Sequence, residues 1–188
     1  MASGAMVIGN HQNQFATALI AYLPGLRRYA TALAGSVSVA DDLVQDCMER
    51  ALKRAETLQD PQRMSGWLRS ILLHLYMDMI RLQRSRGTGV DLAQVDNDLA
   101  LSVPPADRGA TIDFIRALDG LSVEHRQILL LVGLEGLNYR EIAEELGIPM
   151  GTVMSRLARA RERLRNALDK EQNVHSAEQH SSGRRLER

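Results

Sequence analysis

Aromatic side chains are scarce in this chain: one Trp, four Tyr and two Phe among 188 residues. That scarcity argues against a lectin-like sandwich and against single-strand binding built on extensive base stacking. Cysteine is nearly absent as well. Cys47 has no second thiol to pair with, which excludes an internal disulfide and fits a reducing cytoplasm. The longest apolar run, 128–132, is far too short to cross a bilayer, and no signal-peptide pattern precedes the first helical stretch. A cytoplasmic protein with no membrane insertion is therefore expected. Excess charge of one sign is also missing, since 23 basic and 23 acidic residues give a formal net charge of zero. Affinity for nucleic acid must then come from local patches. No Gly-rich phosphate loop or nucleophile–base set occurs, and His74, His125 and the two histidines of the tail lack ligand spacing. No catalytic residue, metal or cofactor is expected, and no enzymatic activity.

What remains is helix. Nothing alternates at period two, and no internal repeat is visible, so the expected fold is all-α in two small bundles. Residues 1–11, with the start Met1–Met6 read as a cloning remnant, should be unstructured. A first helical block spans 12–86, with Pro24 and Pro61 as breaks or helix starts. An acidic, flexible linker follows at 87–110, holding Gly87, Gly89, Pro104 and Pro105 and four Asp against Arg108. The second helical block covers 111–170, and the polar tail 171–188 has no apolar period, which reads as disorder.

The segment from Asn138 to Leu168 is the most informative. Asn138 with Glu141 forms a capping box that opens a short helix, and Gly147 with Ile148-Pro149 ends it and turns into a longer one. Two helices joined by a short Gly-containing turn are the geometry that sets a second helix into the DNA major groove. At about 100° per residue, Val153, Leu157, Ala160, Leu164 and Leu168 share one face and should pack inward. Thr152, Ser155, Arg156, Arg159 and Arg163 cluster on another flank, where hydroxyls and guanidiniums suit phosphate anchoring and base-edge contact. Arg161 and Arg165 lie away from that flank and are poorer candidates. A solvated Arg-rich helix is the plainer alternative.

The first block has a second informative helix. Ser38 to Asp41 reads as a capping box, and Leu43, Val44, Cys47, Met48, Ala51, Leu52 and Ala55 form an apolar stripe. The opposite face carries Asp42, Gln45, Asp46, Glu49 and Arg50, with Asp46–Arg50 and Glu49–Lys53 at ion-pair spacing. By pattern alone this face is either solvated or a docking surface. Beyond Asp60-Pro61, Ser65 can cap a helix whose apolar series is Leu68, Ile71, Leu72, Leu75, Met79 and Leu82. Arg69, Arg81, Arg84 and Arg86 make it basic. Trp67 at its head reads as a core anchor.

The segment VADDLVQDCMERAL, followed by GWLRSILLHLYMDMIRLQRSR, resembles region 2 of a bacterial sigma factor. LSVEHRQILLLVGLEGLNYREIAEELGIPMGTVMSRLARARERLR is similar to region 4. Both in this order, with a short linker, resemble the extracytoplasmic-function (group IV, sigma-70 family) sigma factors. The resemblance implies that Asp42, Gln45, Asp46, Glu49 and Arg50 grip the β′ clamp helices of core RNA polymerase, with the β flap as a further contact. It implies that the loop at about Glu56 to Ser65, with Gln59, Arg63 and Met64, captures a flipped base of the promoter −10 element. Arg69, Arg81 and Arg84 of the following helix would hold the non-template strand. Ser155, Arg156 and Arg159 match positions that meet the −35 element as duplex. The linker would occupy the active-site cleft and RNA exit path. An anti-sigma factor is the implied regulator, and the linker would let the two domains close around it. The protein itself would act as a monomer.

Three positions depart from the family pattern. Met154 stands where Lys or Arg is usual, which shifts upstream specificity onto Thr152, Ser155 and Arg159 or changes the sequence recognised. His74 replaces a common Asn, and Cys47 is smaller than usual; both read as packing variation. Two rival readings stay open: a sigma-like decoy that titrates an anti-sigma factor, and an ordinary helix-turn-helix regulator.

Overall fold

A computed structural model describes the backbone of residues 3–86 and 108–183, with side chains at 14–86 and 113–170. The first helix, α1 (Ser3–Ala34), ends where Gly35 enters the left-handed region at φ 71°. Glycine takes that conformation without a Cβ penalty, and its N–H donates to the Thr31 carbonyl at 2.9 Å. Ser36 then caps α2 (Val37–Lys53) by accepting from the Val39 N–H. Ser38, the expected cap, lies inside the helix instead, because Gly35 reverses the chain early enough for Ser36 to act first. Asp41, its expected box partner, turns to α1 and receives Arg27 at 2.6 and 2.7 Å. This two-pronged hydrogen bond holds the Asp41 carboxyl below the usual carboxylate range. The pair is exposed, so it fixes the register of the α1–α2 hairpin more than it stabilises it.

Pro24 does not break α1. A helix-interior proline costs about 3 kcal/mol, but Leu19, Leu26, Tyr29 and Leu33 are all buried. Each large side chain taken from water returns roughly 1.5–3 kcal/mol, so packing wins. The helix also starts at Ser3, inside the stretch expected to be unstructured.

After α2, two short 3-10 turns lead into α3 (Met64–Ser85). Asp60 starts the second turn, accepting from the Gln62 N–H at 2.9 Å with Pro61 in first position. Asp60-Pro61 thus does the work expected of Ser65, which sits within α3. Leu43, Val44, Cys47 and Ala51 of α2 meet Leu68, Leu72, Leu75 and Tyr76 of α3 in one core with α1. Leu52 and Leu82, expected in the apolar stripes, are exposed instead: Leu52 stands on the flank of α2 although neighbouring Ala51 is buried, and Leu82 lies beyond Ile80 near the end of α3.

The second block opens with α4 (Arg108–Asp119), a few residues ahead of the expected Thr111. Ser122 caps α5 (Val123–Gly133) through the His125 N–H. Arg126 of α5 is buried and reaches back to the end of α4, donating to the Asp119 carbonyl at 2.9 Å and lying 2.9 Å from its carboxylate. A cation at a helix C-terminus satisfies carbonyls that have no partner within the helix. Burial raises the Asp119 carboxyl above its usual range despite Arg126 beside it. Short α6 (Tyr139–Leu146) and long α7 (Met150–Gly183) complete the block. Ile128, Leu131, Ile142, Val153, Leu157 and Ala160 form its centre.

α7 runs through 171–183, where disorder was expected. That stretch has no proline and no glycine before Gly183, and it includes Glu171, Gln172, Ala177, Glu178 and Gln179. It continues an established helix, which adds one backbone hydrogen bond per residue without a new nucleation step. The seven α-helices of the described residues fall into two compact units, Met1–Asp91 and Leu92–Arg188. No strand occurs among the described residues. The linker read at 87–110 lies, up to residue 107, outside them.

Candidate nucleic-acid interface

The helix-turn-helix is built by local chemistry. The Asn138 carboxamide oxygen accepts from the N–H groups of Arg140 and Glu141 at 3.0 and 3.1 Å, and the Glu141 carboxylate accepts from the Asn138 N–H at 2.7 Å. This reciprocal box fixes where α6 begins. Gly147, at φ 62°, ends it one residue before Ile148-Pro149. The Pro149 carbonyl accepts from Thr152 and Val153, which starts α7 at once. Val153, Leu157 and Ala160 are buried as the helical period requires, and Leu164 and Leu168 are half-buried.

That inward stripe aims the polar residues outward. Ser155, Arg159 and Arg163 are exposed, while Thr152 and Arg156 are half-buried. The Arg163 guanidinium lies 3.5 Å from Nδ1 of His125 on α5, and the Ser122 hydroxyl lies 3.1 Å from the same nitrogen. Burial, helped by Arg163, Arg156 and Arg159 and opposed by Glu124, pushes the His125 imidazole below its ordinary value. Three arginines and a titratable ring thus gather along one side of α7. Arg161 and Arg165 are exposed too.

In the first unit, Asp42, Gln45, Asp46, Glu49 and Arg50 all stand on the exposed face of α2. Glu49 pairs with Lys53 at 3.7 Å. The other ion pair expected there, Asp46–Arg50, is not formed among the described residues. Of the residues assigned to the downstream element, Gln59, Arg63, Arg81 and Arg84 are exposed. Met64 and Arg69 are not: they are 4% and 7% exposed, part of the core beneath α3. Their expected contact with DNA is corrected accordingly.

An open cleft of about 550 Å³ lies beside this loop. Arg50 of α2, Arg54 just after it, Thr57 of the turn, and Trp67, Ser70, Ile71, His74 and Asp78 of α3 line it. Trp67 is half-buried, and its ring meets Phe15 of α1 edge to face at 6.3 Å. It is therefore a core anchor on one side and a wall of the cleft on the other. Nδ1 of His74 lies 2.6 Å from the Ser70 carbonyl, so that nitrogen carries the proton and donates. An indole face, two guanidiniums, an imidazole and two hydroxyls are groups that stack on and hydrogen-bond a heteroaromatic base. Sequence reading missed Arg54, Thr57, Ser70, His74 and Asp78. A signal was present: Trp67, Ser70, His74 and Asp78 recur at helical spacing along α3.

Cys47 is fully buried, and its thiol donates to the Leu68 carbonyl at 3.4 Å. Burial pushes it up to about 12, so it stays a protonated, unreactive packing group. Among the described residues no group of three or more His, Cys, Asp or Glu could hold a metal ion, and no helix is long and apolar enough to cross a membrane.

Comparison with known proteins covers both units. Residues 112–164 match the family described as sigma-70, region 4, and residues 19–73 match the Sigma2 domain of PhyR. The ECF RNA polymerase sigma factor EcfG of Rhodopseudomonas palustris is 33% identical over 151 residues, covering 78% of this chain and 80% of that one. SigM of Mycobacterium tuberculosis, also an ECF sigma factor, is 30% identical over 179 residues, 85% of this chain and 87% of its own. Among solved structures, the sigma factor RpoE of Bartonella quintana, crystallised with the anti-sigma factor NepR, aligns at a TM-score of 0.65 with 29% identity. The alignment covers 83% of this chain and 97% of RpoE. The anti-anti-sigma factor PhyR of the same organism, also complexed with NepR, shares the fold at a TM-score of 0.55 and 20% identity.

Proposed function

The chain belongs to the extracytoplasmic-function sigma factors, and from that premise we propose that it docks on core RNA polymerase and directs it to a two-part promoter. On this reading, residues 12–86 are region 2, 87–110 the linker and 111–170 region 4. The exposed acidic face of α2, Asp42 to Glu49, meets the β′ clamp helices, and the second unit meets the β flap. Ser155 and Arg159 contact the upstream element as duplex, with Thr152, Arg156 and Arg163 holding its backbone. The cleft at Trp67 takes an unstacked base of the downstream element, which lowers the cost of strand opening. Gln59, Arg63, Arg81 and Arg84 line the approach of the displaced strand. The chain performs no covalent chemistry, acts in the cytoplasm as a monomer, and is held inactive by an anti-sigma factor, as RpoE is bound by NepR.

The observation that carries this reading is the presence, in one chain, of an outward-facing recognition helix and an acidic α2 face beside an open cleft walled by Trp67. A second reading has its own support. The match of residues 19–73 to the Sigma2 domain of PhyR favours a decoy that binds an anti-sigma factor without starting transcription. Run-off transcription with core polymerase on a library of candidate promoters separates the two. Specific transcripts support the initiation factor; tight anti-sigma binding with no transcript from any promoter supports the decoy.

A further inference from the structure

Resting on the reading of α7 as the upstream recognition helix, we propose that it reads thymine methyl groups through an apolar strip of Met150, Met154 and Ala158. These three residues follow one another at i, i+4 and i+8, so they share a line along the helix. All three are exposed, Met150 at 51% and Met154 at 47%. At about 100° per residue, the strip runs between the buried face of Val153, Leu157 and Ala160 and the line of Ser155 and Arg159, on the side it shares with Arg161 and Arg165. Arg163, by contrast, leans toward His125 of α5, and Arg156 is half-buried near Glu124. The outermost surface in the first turns of α7 is therefore Met154, Ser155, Ala158 and Arg159, not the full arginine flank.

Two exposed methionines near the start of a helix that also carries five arginines need a partner that is apolar at one point and anionic around it. The DNA major groove fits that description. A helix-turn-helix presents the first residues of its second helix to base edges, and the apolar feature among those edges is the thymine C5-methyl. Phosphates lie on both walls of the groove. Arg161 and Arg165 continue the strip's own side further along α7 and Arg159 lies on the adjoining face, so they supply matching charge. A thioether carries neither charge nor a strong donor, so Met154 cannot anchor a phosphate. Its flexible chain can follow a methyl group. The upstream element should thus be thymine-bearing where Met154 meets it, and cytosine, which lacks the methyl, should be rejected there.

The test uses holoenzyme assembled from this chain and core RNA polymerase, with promoter duplexes randomised across the upstream half. Wild type should enrich thymine at one or more upstream positions. Replacing those thymines with deoxyuridine should weaken binding about fourfold per methyl, the transfer value of one buried CH2 group. Met154→Ala, at an exposed site, should fold normally, lose most of that discrimination and bind the thymine and deoxyuridine duplexes alike. Equal wild-type affinity for both duplexes would overturn the strip while leaving the recognition helix intact. An unchanged thymine preference in Met154→Ala would overturn it too. If no upstream sequence is selected at all, the recognition-helix reading itself fails and takes this inference with it.

Discussion

The second unit carries its candidate DNA contacts on one continuous helix, whereas the first assembles its cleft from α2, the turn after it and α3. Along α7, a repeating period places Val153, Leu157 and Ala160 inside and thereby turns Ser155 and Arg159 outside. In the first unit, Arg50 reaches the cleft from α2 and Arg54 from the residue that caps it, while Trp67, His74 and Asp78 reach it from α3. The difference appears in the fate of individual arginines. Arg159 on α7 is exposed, as its position along the helix implies, while Arg69 on α3 is buried against expectation. A site on one helix depends on that helix's rotation alone; a site between helices depends on how they pack.

Substitutions can break or sharpen this contrast. The largest effect is expected at Arg126, whose removal leaves the Asp119 end of α4 without its buried cation. Arg126→Ala should destabilise the second unit by about 3–5 kcal/mol. Urea unfolding followed by far-UV circular dichroism would register it, while fluorescence of the sole tryptophan, Trp67, reports the first unit. Equal shifts in both signals would mean that the units unfold together and that the contrast is superficial.

Next come the two sites themselves. Arg159→Ala should cost about 1–3 kcal/mol of upstream binding, concentrated at one base position. Trp67→Ala should remove about 1–3 kcal/mol per stacked base from strand opening and leave upstream duplex binding unchanged. Permanganate reactivity of the melted strand reads the second effect. A Trp67 variant that opens the promoter normally would remove the cleft from the mechanism.

Arg50 sits both on the exposed α2 face and in the cleft, so its neighbours separate the two roles. Asp46→Ala should weaken core-polymerase binding about thirtyfold, the lower end of a single interface hot spot. Arg54→Ala should spare core affinity and impair opening. Equilibrium binding to labelled core polymerase distinguishes them, and equal losses would merge the two surfaces into one.

The smallest effect is pH-dependent. His125 is depressed below its ordinary value of 6.5, so the folded protein binds fewer protons than the unfolded chain in that window. Its contribution to stability is present above the ordinary value and is lost as pH falls through the lowered folded one. A phosphate beside Arg163 and Arg159 would raise His125 again, so upstream binding should tighten modestly as pH drops from 7.5 to about 5.5. In His125→Gln that trend should vanish; its persistence would place the proton elsewhere.

Much of the second unit was legible in the sequence because its signals are local. Asn138, Glu141 and Gly147 act within a few residues of themselves, and their geometry follows the pattern. The α2 face was legible for the same reason. Caps one step away were not: Ser36 displaced Ser38 because Gly35 turned early, and Asp41 answered an arginine 14 residues back. Pro24 misled because burial along α1 outweighs the hydrogen bond a proline removes. Arg69 misled because a helix's polar letters do not reveal which neighbour will cover them, and Met64 because an apolar residue at a loop's end can as well join the core.

By itself, the sequence determined the all-helical fold, the helix-turn-helix and the faces of α2 and α7, because spacing along a helix converts directly into direction. Tertiary structure alone decided which arginines reach solvent, how Trp67 comes to wall a cleft, and how far Met154 of the recognition helix is left exposed. Those outcomes depend on which helices meet and at what rotation, and that is set by burial summed over the whole core rather than by any short stretch of chain.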